Sequence, residues 1–284
     1  MKTITSLLVL VIMVTMVGCI EQPAKEGAVT QGNALVAAEY NLGVMYATGE
    51  GVPQDYAEAR KWYHKAAEEG YADAQNNLGL LYADGKGVLK NYALAVKWFR
   101  RAAEQGNALS QTSLGFMYEN GSGVPKSLVK AVEWYRKAAA QENSEAQHNL
   151  GVCYDEGEGV VEDDVEAVKW YRKASVQGNV ASQHNLGSMY FFGEGISQDY
   201  AEAMKWYRMA AEEGNSHAQN NLGTMYAMAL DVPQDDAEAL KWYHLAAEQG
   251  HAEAQNNLGW MYSLGKGVPQ DDIEAEKWYS LAQE

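Results

Sequence analysis

The sequence predicts an all-α fold, a solenoid of helix-turn-helix repeats, on three observations that share one period. The dipeptide Leu-Gly recurs at Leu42-Gly43, Leu78-Gly79, Leu114-Gly115, Leu150-Gly151, Leu186-Gly187, Leu222-Gly223 and Leu258-Gly259, always 36 residues apart. A tryptophan keeps the same interval at Trp62, Trp98, Trp134, Trp170, Trp206, Trp242 and Trp278, and a tyrosine holds a third register from Tyr46 to Tyr262. Self-similarity at a period of this length means stacked supersecondary units, because one such unit cannot bury its apolar face alone. Seven units without insertion occupy 33–284 (33–68, 69–104, 105–140, 141–176, 177–212, 213–248 and 249–284), which leaves no room there for a separate catalytic domain.

Each unit reads as two antiparallel helices, A then B. In the first unit Ala38, Leu42, Met45 and Tyr46 form one apolar stripe, and Ala59, Trp62, Tyr63 and Ala66 a second, both at three- and four-residue spacing. Helix B starts where Asp55, with Glu58 three residues on, accepts from backbone donors that have no intrahelical partner. The pair recurs as Asp163/Glu166, Asp199/Glu202, Asp235/Glu238 and Asp271/Glu274. Helix B ends at Gly70, Gly106, Gly178, Gly214 and Gly250, the residue type that best adopts a left-handed cap. Glu142 interrupts that series, and Asn143 is expected to take its place. Gly43 and its equivalents sit inside helix A, where glycine costs about 1 kcal/mol relative to alanine, so a close approach of helix B is expected there. The A-to-B corner is Gly49-x-Gly51 followed by Val52 as a plug; repeat six reads Ala229-Leu230-Asp231, which predicts an atypical corner. Arg60 and Glu276 replace the apolar residues of Val96, Val132, Val168, Met204 and Leu240 and read as polar end caps.

The motif Ala38, Leu42-Gly43, Tyr46, Gly49-x-Gly51-Val52, Asp55, Ala59, Trp62 and Ala66-Ala67 resembles that of the Sel-1-like repeat family, a branch of the tetratricopeptide superfamily. The resemblance implies a right-handed superhelix whose concave face binds proteins or peptides. It also implies an adaptor role in assembling complexes, including at bacterial envelopes.

Residues 1–18 read as an export signal. After Lys2 an apolar run extends from Ile4 to Val17, shorter than the roughly 20 residues a bilayer span needs. Gly18-Cys19 resembles a bacterial lipoprotein cleavage site, which implies a diacylglyceryl group on Cys19 as the mature N-terminus. Met16 and Val17 depart from the usual residues, so soluble secretion or a free periplasmic form is the alternative. Ile20 is not the aspartate that retains such proteins at the inner membrane, so the outer membrane is the expected site, facing the periplasm. Residues 19–32 read as the lipidated cysteine and a polar tether.

Composition narrows the partners. Against 38 Asp and Glu stand 22 Lys and Arg, a net charge of −16, and such a surface repels the phosphate backbone on which nucleic-acid affinity depends. Two cysteines make no disulfide framework, and no clustered ligands suggest a metal. No cofactor and no catalytic residue is expected.

Features that suggest chemistry have simpler readings. The Gly-x-Gly corners lack the spacing of a phosphate cradle. Ser127-x-x-Lys130 matches the nucleophile motif of penicillin-recognising enzymes only locally, because Ser127 occupies the cap position of Asp55 and no accompanying motif is present. His148 and His184 share one register, which would let neighbouring repeats place them near each other, but two are too few for zinc, and they read as polar residues on helix A near the concave surface. A polar ladder beside them, Asn77, Asn149, Asn185, Asn221 and Asn257, either hydrogen-bonds an extended peptide or joins neighbouring repeats. Cys153 sits in an apolar register as a core thiol.

Differences between repeats locate the function, since the fold's demands are common to all. Thr48, Asp84, Asn120 and Glu156 give way to Phe192, Met228 and Leu264, and Lys65, Arg101, Lys137 and Lys173 to Met209, Leu245 and Leu281. Trp260 replaces smaller residues and is out of register with the other seven tryptophans. The last three repeats are therefore expected to carry a partner-binding or self-association patch. The reading is a non-catalytic, envelope-anchored scaffold for protein or peptide partners. A cell-wall or penicillin-interacting enzyme, or a glycan-binding module, is the alternative.

Overall fold

The computed structural model describes residues 24–283, with side chains from residue 33. The expected all-α solenoid is present: fourteen helices and no strand among the described residues, paired as A and B hairpins. Two compact units divide at Ala138/Ala139. The first holds α1 (Ala24–Thr48), α2 (Tyr56–Glu68), α3 (Ala72–Asp84), α4 (Tyr92–Glu104), α5 (Ala108–Asn120) and α6 (Leu128–Ala139), whose last residue opens the second unit. The second holds α7 (Ser144–Asp155), α8 (Asp164–Val176), α9 (Val180–Phe192), α10 (Tyr200–Glu212), α11 (Ser216–Ala227), α12 (Asp236–Glu248), α13 (Ala252–Leu264) and α14 (Asp272–Leu281). Cys19 and residues 1–18 lie outside the described residues. Helix α1 reaches back to Ala24, into the segment read as a polar tether.

Helix B begins as its sequence requires. Asp55, Asn91, Asp163, Asp199, Asp235 and Asp271 each accept a backbone N–H two or three residues on, and Ser127 Oγ accepts from Lys130 N at 3.4 Å. That bond places Ser127 as a helix cap. Helix A starts similarly at Asn107, Asn143, Asn179, Asn215 and His251.

The helix A glycine is explained by an aromatic ring. A Cβ on Gly187 would lie 2.7 Å from Cδ1 of Tyr207, and one on Gly79 2.6 Å from Cδ1 of Phe99. All seven repeats repeat this contact between helix A and their own helix B, and the rings of Phe99, Tyr135, Tyr171 and Tyr207 are at most 1% exposed.

Two turn expectations need correction. Glu142 itself takes the left-handed conformation at φ 62°, while Asn143 caps the next helix. Repeat six keeps the corner conformation rather than changing it. Ala229 and Asp231 both adopt φ 58°, where the other corners have glycine. A left-handed non-glycine residue costs about 1–2 kcal/mol, which Leu230 and Val232, packed against the core of unit two, help to offset.

Successive hairpins are tied by a glutamine register. Gln75, Gln111, Gln147, Gln183, Gln219 and Gln255 are buried and donate from Nε2 to a carbonyl at the end of the preceding helix B, at 2.9–3.3 Å. The accepting carbonyls belong to the last turn, which has no intrahelical donor. The glutamine oxygen in turn accepts from a second glutamine, Gln105 to Gln75, Gln177 to Gln147 and Gln249 to Gln219, each at 2.8 Å. Glu213 stands where that second glutamine is needed for Gln183, and Oε1 of Gln183 finds no donor among the described residues. Glu213→Gln therefore raises the unfolding free energy of the chain by about 1 kcal/mol, read as a higher urea midpoint at unchanged slope; an unmoved midpoint would show that Gln183 carries no penalty.

Candidate functional site

The helix A stripe left open by this packing runs from the asparagine register through the Trp260 register to the Phe192 register. Asn185, Ser188 and Phe192, like Asn257, Trp260 and Leu264, are spaced by three and four residues and share one face. In unit two the outer part of this face is apolar and open: Phe192 is 63% exposed, Met228 66%, Leu264 55% and Trp260 41%. Lys266 Nζ lies 4.4 Å over the Trp260 ring, a cation against its negative face.

Met209 and Leu245 are also exposed, but they lie on helix B near its C-terminal end. Because A and B are antiparallel, that end is opposite the corner at which Phe192 sits, about 13 Å away along the helix axis. The single patch expected from sequence is thus two separate surfaces. The helix B register has its own structural setting, since Lys65, Arg101, Lys137 and Lys173 each stack over the tryptophan three residues earlier, at 3.9–4.8 Å. Where Met209 and Leu245 take that position, the cation over the buried Trp206 and Trp242 comes instead from Lys205 and Lys241, at 5.4 and 5.1 Å.

Unit one carries an apolar group on the same helix A face that the register comparison missed. Leu80, Leu109 and Phe116 are 42%, 58% and 53% exposed. Leu80 and Phe116 occupy the Trp260 register in successive repeats, and Leu109 lies two turns before Phe116 on the same face.

The asparagine ladder is turned inward. Asn77 Nδ2 donates to Tyr40 Oη at 3.5 Å and Asn257 Nδ2 to Asn220 Oδ1 at 3.0 Å, while Asn221 meets His184 Nε2 at 3.4 Å. Asn185 and Asn221 also bond the ring hydroxyls of Tyr171 and Tyr207. Asn149 is half-buried in the same register. Of the two roles expected for this ladder, joining neighbouring repeats is the one these bonds perform.

The histidine expectation is corrected. His148 does not reach His184; its Nδ1 meets Ser182 Oγ at 2.8 Å. Residues at equal register in successive A helices point the same way, so contact falls between residues 34 or 37 apart instead of 36. This serine–imidazole pair is no nucleophile and base, because Ser182 is fully buried and Ser110 makes the equivalent bond to Asn76 at 2.8 Å without any histidine. Burial holds the His148 pKa below its usual value.

One cleft of about 210 Å³ opens on the face between α7 and α9, lined among others by Asp155, Glu156, Tyr171, Asn185, Ser188 and Glu194. Asp155 Oδ2 accepts from Tyr171 Oη at 2.9 Å. Burial, then the charges of Asp164 and Glu162, push the Asp155 carboxyl above its usual range, against the lowering by the Tyr171 bond. No group of three metal-ligating side chains is arranged to hold an ion among the described residues.

The repeat model for Sel1 matches residues 36–71, 72–107, 108–143, 144–179, 180–215, 216–251 and 252–282. The chain belongs to the Sel1 repeat family. Its match frames start three residues after the frame set by 33–68. A protective antigen of uropathogenic Escherichia coli strains with an SLR fold is 43% identical over 89% of this chain at a TM-score of 0.81. This chain spans 54% of that protein's length. A Sel1 repeat protein from Oxalobacter formigenes is 35% identical, covering 87% of this chain and 97% of its own, at a TM-score of 0.77. A search of curated proteins returned no match. Sel1 repeat proteins generally serve as protein-interaction scaffolds, which is consistent with a face that carries exposed apolar side chains.

Asn221→Ala should lower stability by about 1 kcal/mol through the lost bonds to Tyr207 and His184, measured by urea unfolding. A fully stable variant would return the ladder to the pool of ligand-binding groups.

Proposed function

We propose that the protein is a non-catalytic scaffold tethered to the bacterial envelope by a lipid on Cys19, holding protein or peptide partners on the exposed helix A face of its last three repeats. The observation that carries this reading is the row Phe192, Met228 and Leu264, 55–66% exposed at the helix A ends of three successive repeats, with Trp260 beside it. Apolar side chains grouped in this way mark contact sites, whereas single ones do not. Four other repeats hold polar residues at the same position on the same backbone, so packing does not demand apolar ones. The row serves a partner rather than the solenoid, and a second copy of the chain falls within the same class of occupant.

The envelope assignment rests on the apolar run before Cys19 and the polar stretch after it. The similarity to a protective antigen of uropathogenic E. coli is consistent with an exported chain. Among the described residues no helix is long and apolar enough to cross a membrane.

Affinity capture from envelope extract should yield partners with the natural chain and lose them when Phe192, Met228 and Leu264 are all changed to Ser. The variant should keep its stability within about 0.5 kcal/mol, because these are surface positions. An unchanged partner set would remove this face from the proposal. Separately, cells fed an alkyne fatty acid should label the natural chain and not Cys19→Ala, and the variant should move from the membrane fraction to the soluble one; equal labelling would end the lipid-anchor reading.

A further inference from the structure

Three imidazoles that the exposed stripe does not use converge in unit two. His184 on α9 and His217 on α11 have ring centroids 5.7 Å apart, and those of His217 and His251, the residue before α13, are 4.6 Å apart and edge-on. Nε2 of His251 lies 2.9 Å from Nδ1 of His217. A surface cleft borders the pair, lined also by Ser216, Gln249 and Glu253.

The bonding pattern fixes the protons. Nδ1 of His251 accepts from the backbone N–H of Ala254 at 3.3 Å and so caps α13. Asn107, Asn143, Asn179 and Asn215 do this for the preceding helices with an amide oxygen. An N–H donor needs a lone pair opposite it, so the neutral ring of His251 carries its hydrogen on Nε2. That hydrogen is donated to Nδ1 of His217, whose own hydrogen is then on Nε2. Both bonds exist only while both rings are neutral. A proton on His217 sets Nδ1–H against Nε2–H of His251; a proton on His251 sets Nδ1–H against the N–H of Ala254 and abolishes the cap.

A metal explains the cluster less well. The cap takes one nitrogen of His251, leaving its other as a donor, and no third ligand completes a site among the described residues.

The charged and titratable neighbours can be named for each packed element. α9 contributes His184, α11 contributes His217, and the helix that follows His251 contributes Glu253, whose Oε2 accepts from Asn220 Nδ2 at 3.4 Å. α12 reaches the cleft through Gln249 and Gly250, which do not titrate. Tyr207 of α10 lies 5.8 Å from the His184 ring and is pushed up to about 12 by burial, so it is neutral.

We propose that His217 and His251 form a pH-sensitive tie between the sixth and seventh repeats, which caps α13 and bonds it to α11 when neutral and releases the start of α13 when protonated. Trp260 and Leu264 lie on the same helix, beyond the first turn that the cap orders. The tie itself does not depend on the proposed binding role. The sign of the pH dependence follows from burial. Desolvation, and then His217, hold His251 below the usual 6.5, against the opposing pull of Glu253. Desolvation also dominates at His184, which is lowered likewise despite its bond to Asn185, with His217 and His251 adding to the effect. The unfolded chain therefore takes up protons first: the tie is at full strength above 6.5 and weakens as the pH falls below it.

Hydrogen exchange of the full chain, corrected for the intrinsic pH dependence of exchange, tests this at about pH 7.5 and about pH 5.5. Amides of 252–258 should lose about fivefold protection in acid, the effect of losing one helix cap, while the Asn215-capped start of α11 should not. His251→Asn restores the cap found in four other repeats and should hold protection at both pH values. His244, which packs on Tyr262 and Trp278, is left in place in this variant and serves as its internal control. The proposal is overturned if the natural chain shows no more acid sensitivity at 252–258 than at α11, or if His251→Asn loses protection as the natural chain does.

Discussion

The approach of helix B to the glycine of helix A is the constraint on which the rest of the structure depends. With a ring carbon about where a Cβ would be, the two axes cannot separate or slide without leaving a void, and a buried void of side-chain size costs several kcal/mol. The contact recurs in every repeat, with Phe99 taking the place of tyrosine once. Each hairpin is therefore nearly the same rigid body, and any residue at a given register emerges at the same place on it. This is what allows one repeat's surface to be compared with another's.

Rigid hairpins still need a fixed relation to their neighbours, and within each unit the buried glutamines supply it. A glutamine amide donates to the last turn of the helix before it and accepts from a second glutamine, so one side chain satisfies groups on two repeats at once. Burial without these bonds would be unfavourable, since an unpaired buried amide costs about 1–3 kcal/mol. Alanine, at 0% exposure at Ala59, Ala66, Ala95, Ala102 and their equivalents, keeps helix B thin enough for the next hairpin to close on it. Small residues set the spacing, and polar ones set the register.

The fold was legible because its demands are periodic. Leu-Gly, tryptophan and the aspartate caps repeat in phase, and the helices fall where those signals place them. The glutamine register was equally periodic yet passed unread, because a polar residue in an amphipathic helix looks like surface until its partner is known. Contacts between repeats were harder still. Register alignment pairs His148 with His184, but neighbouring A helices present opposite flanks to each other, so His148 meets Ser182 and His217 meets His251, in each case 34 residues on. No single column of aligned repeats contains such a pair. The left-handed Glu142, Ala229 and Asp231 were illegible for a different reason: tertiary packing imposes the corner and the local residue accepts the strain.

The separation of the Phe192 row from the Met209 row bears on what surface variation means in a repeat protein. On helix B the position three after tryptophan holds a cation over the indole in the first four repeats, and where Met209 and Leu245 stand there a lysine one residue before the tryptophan takes the ring instead; this exchange is a change of packing partner within helix B. At the corner end of helix A Phe192 meets the edge of Phe191 at 5.0 Å yet stays largely exposed, and Thr48, Asp84, Asn120 and Glu156 show that the backbone there accepts polar side chains. Placing three large apolar groups mostly in water at that position forgoes burial worth about 25 cal/mol per Å². The helix A row is thus the variation that the periodic demands of the fold do not account for, which is why the proposed contact surface is placed there.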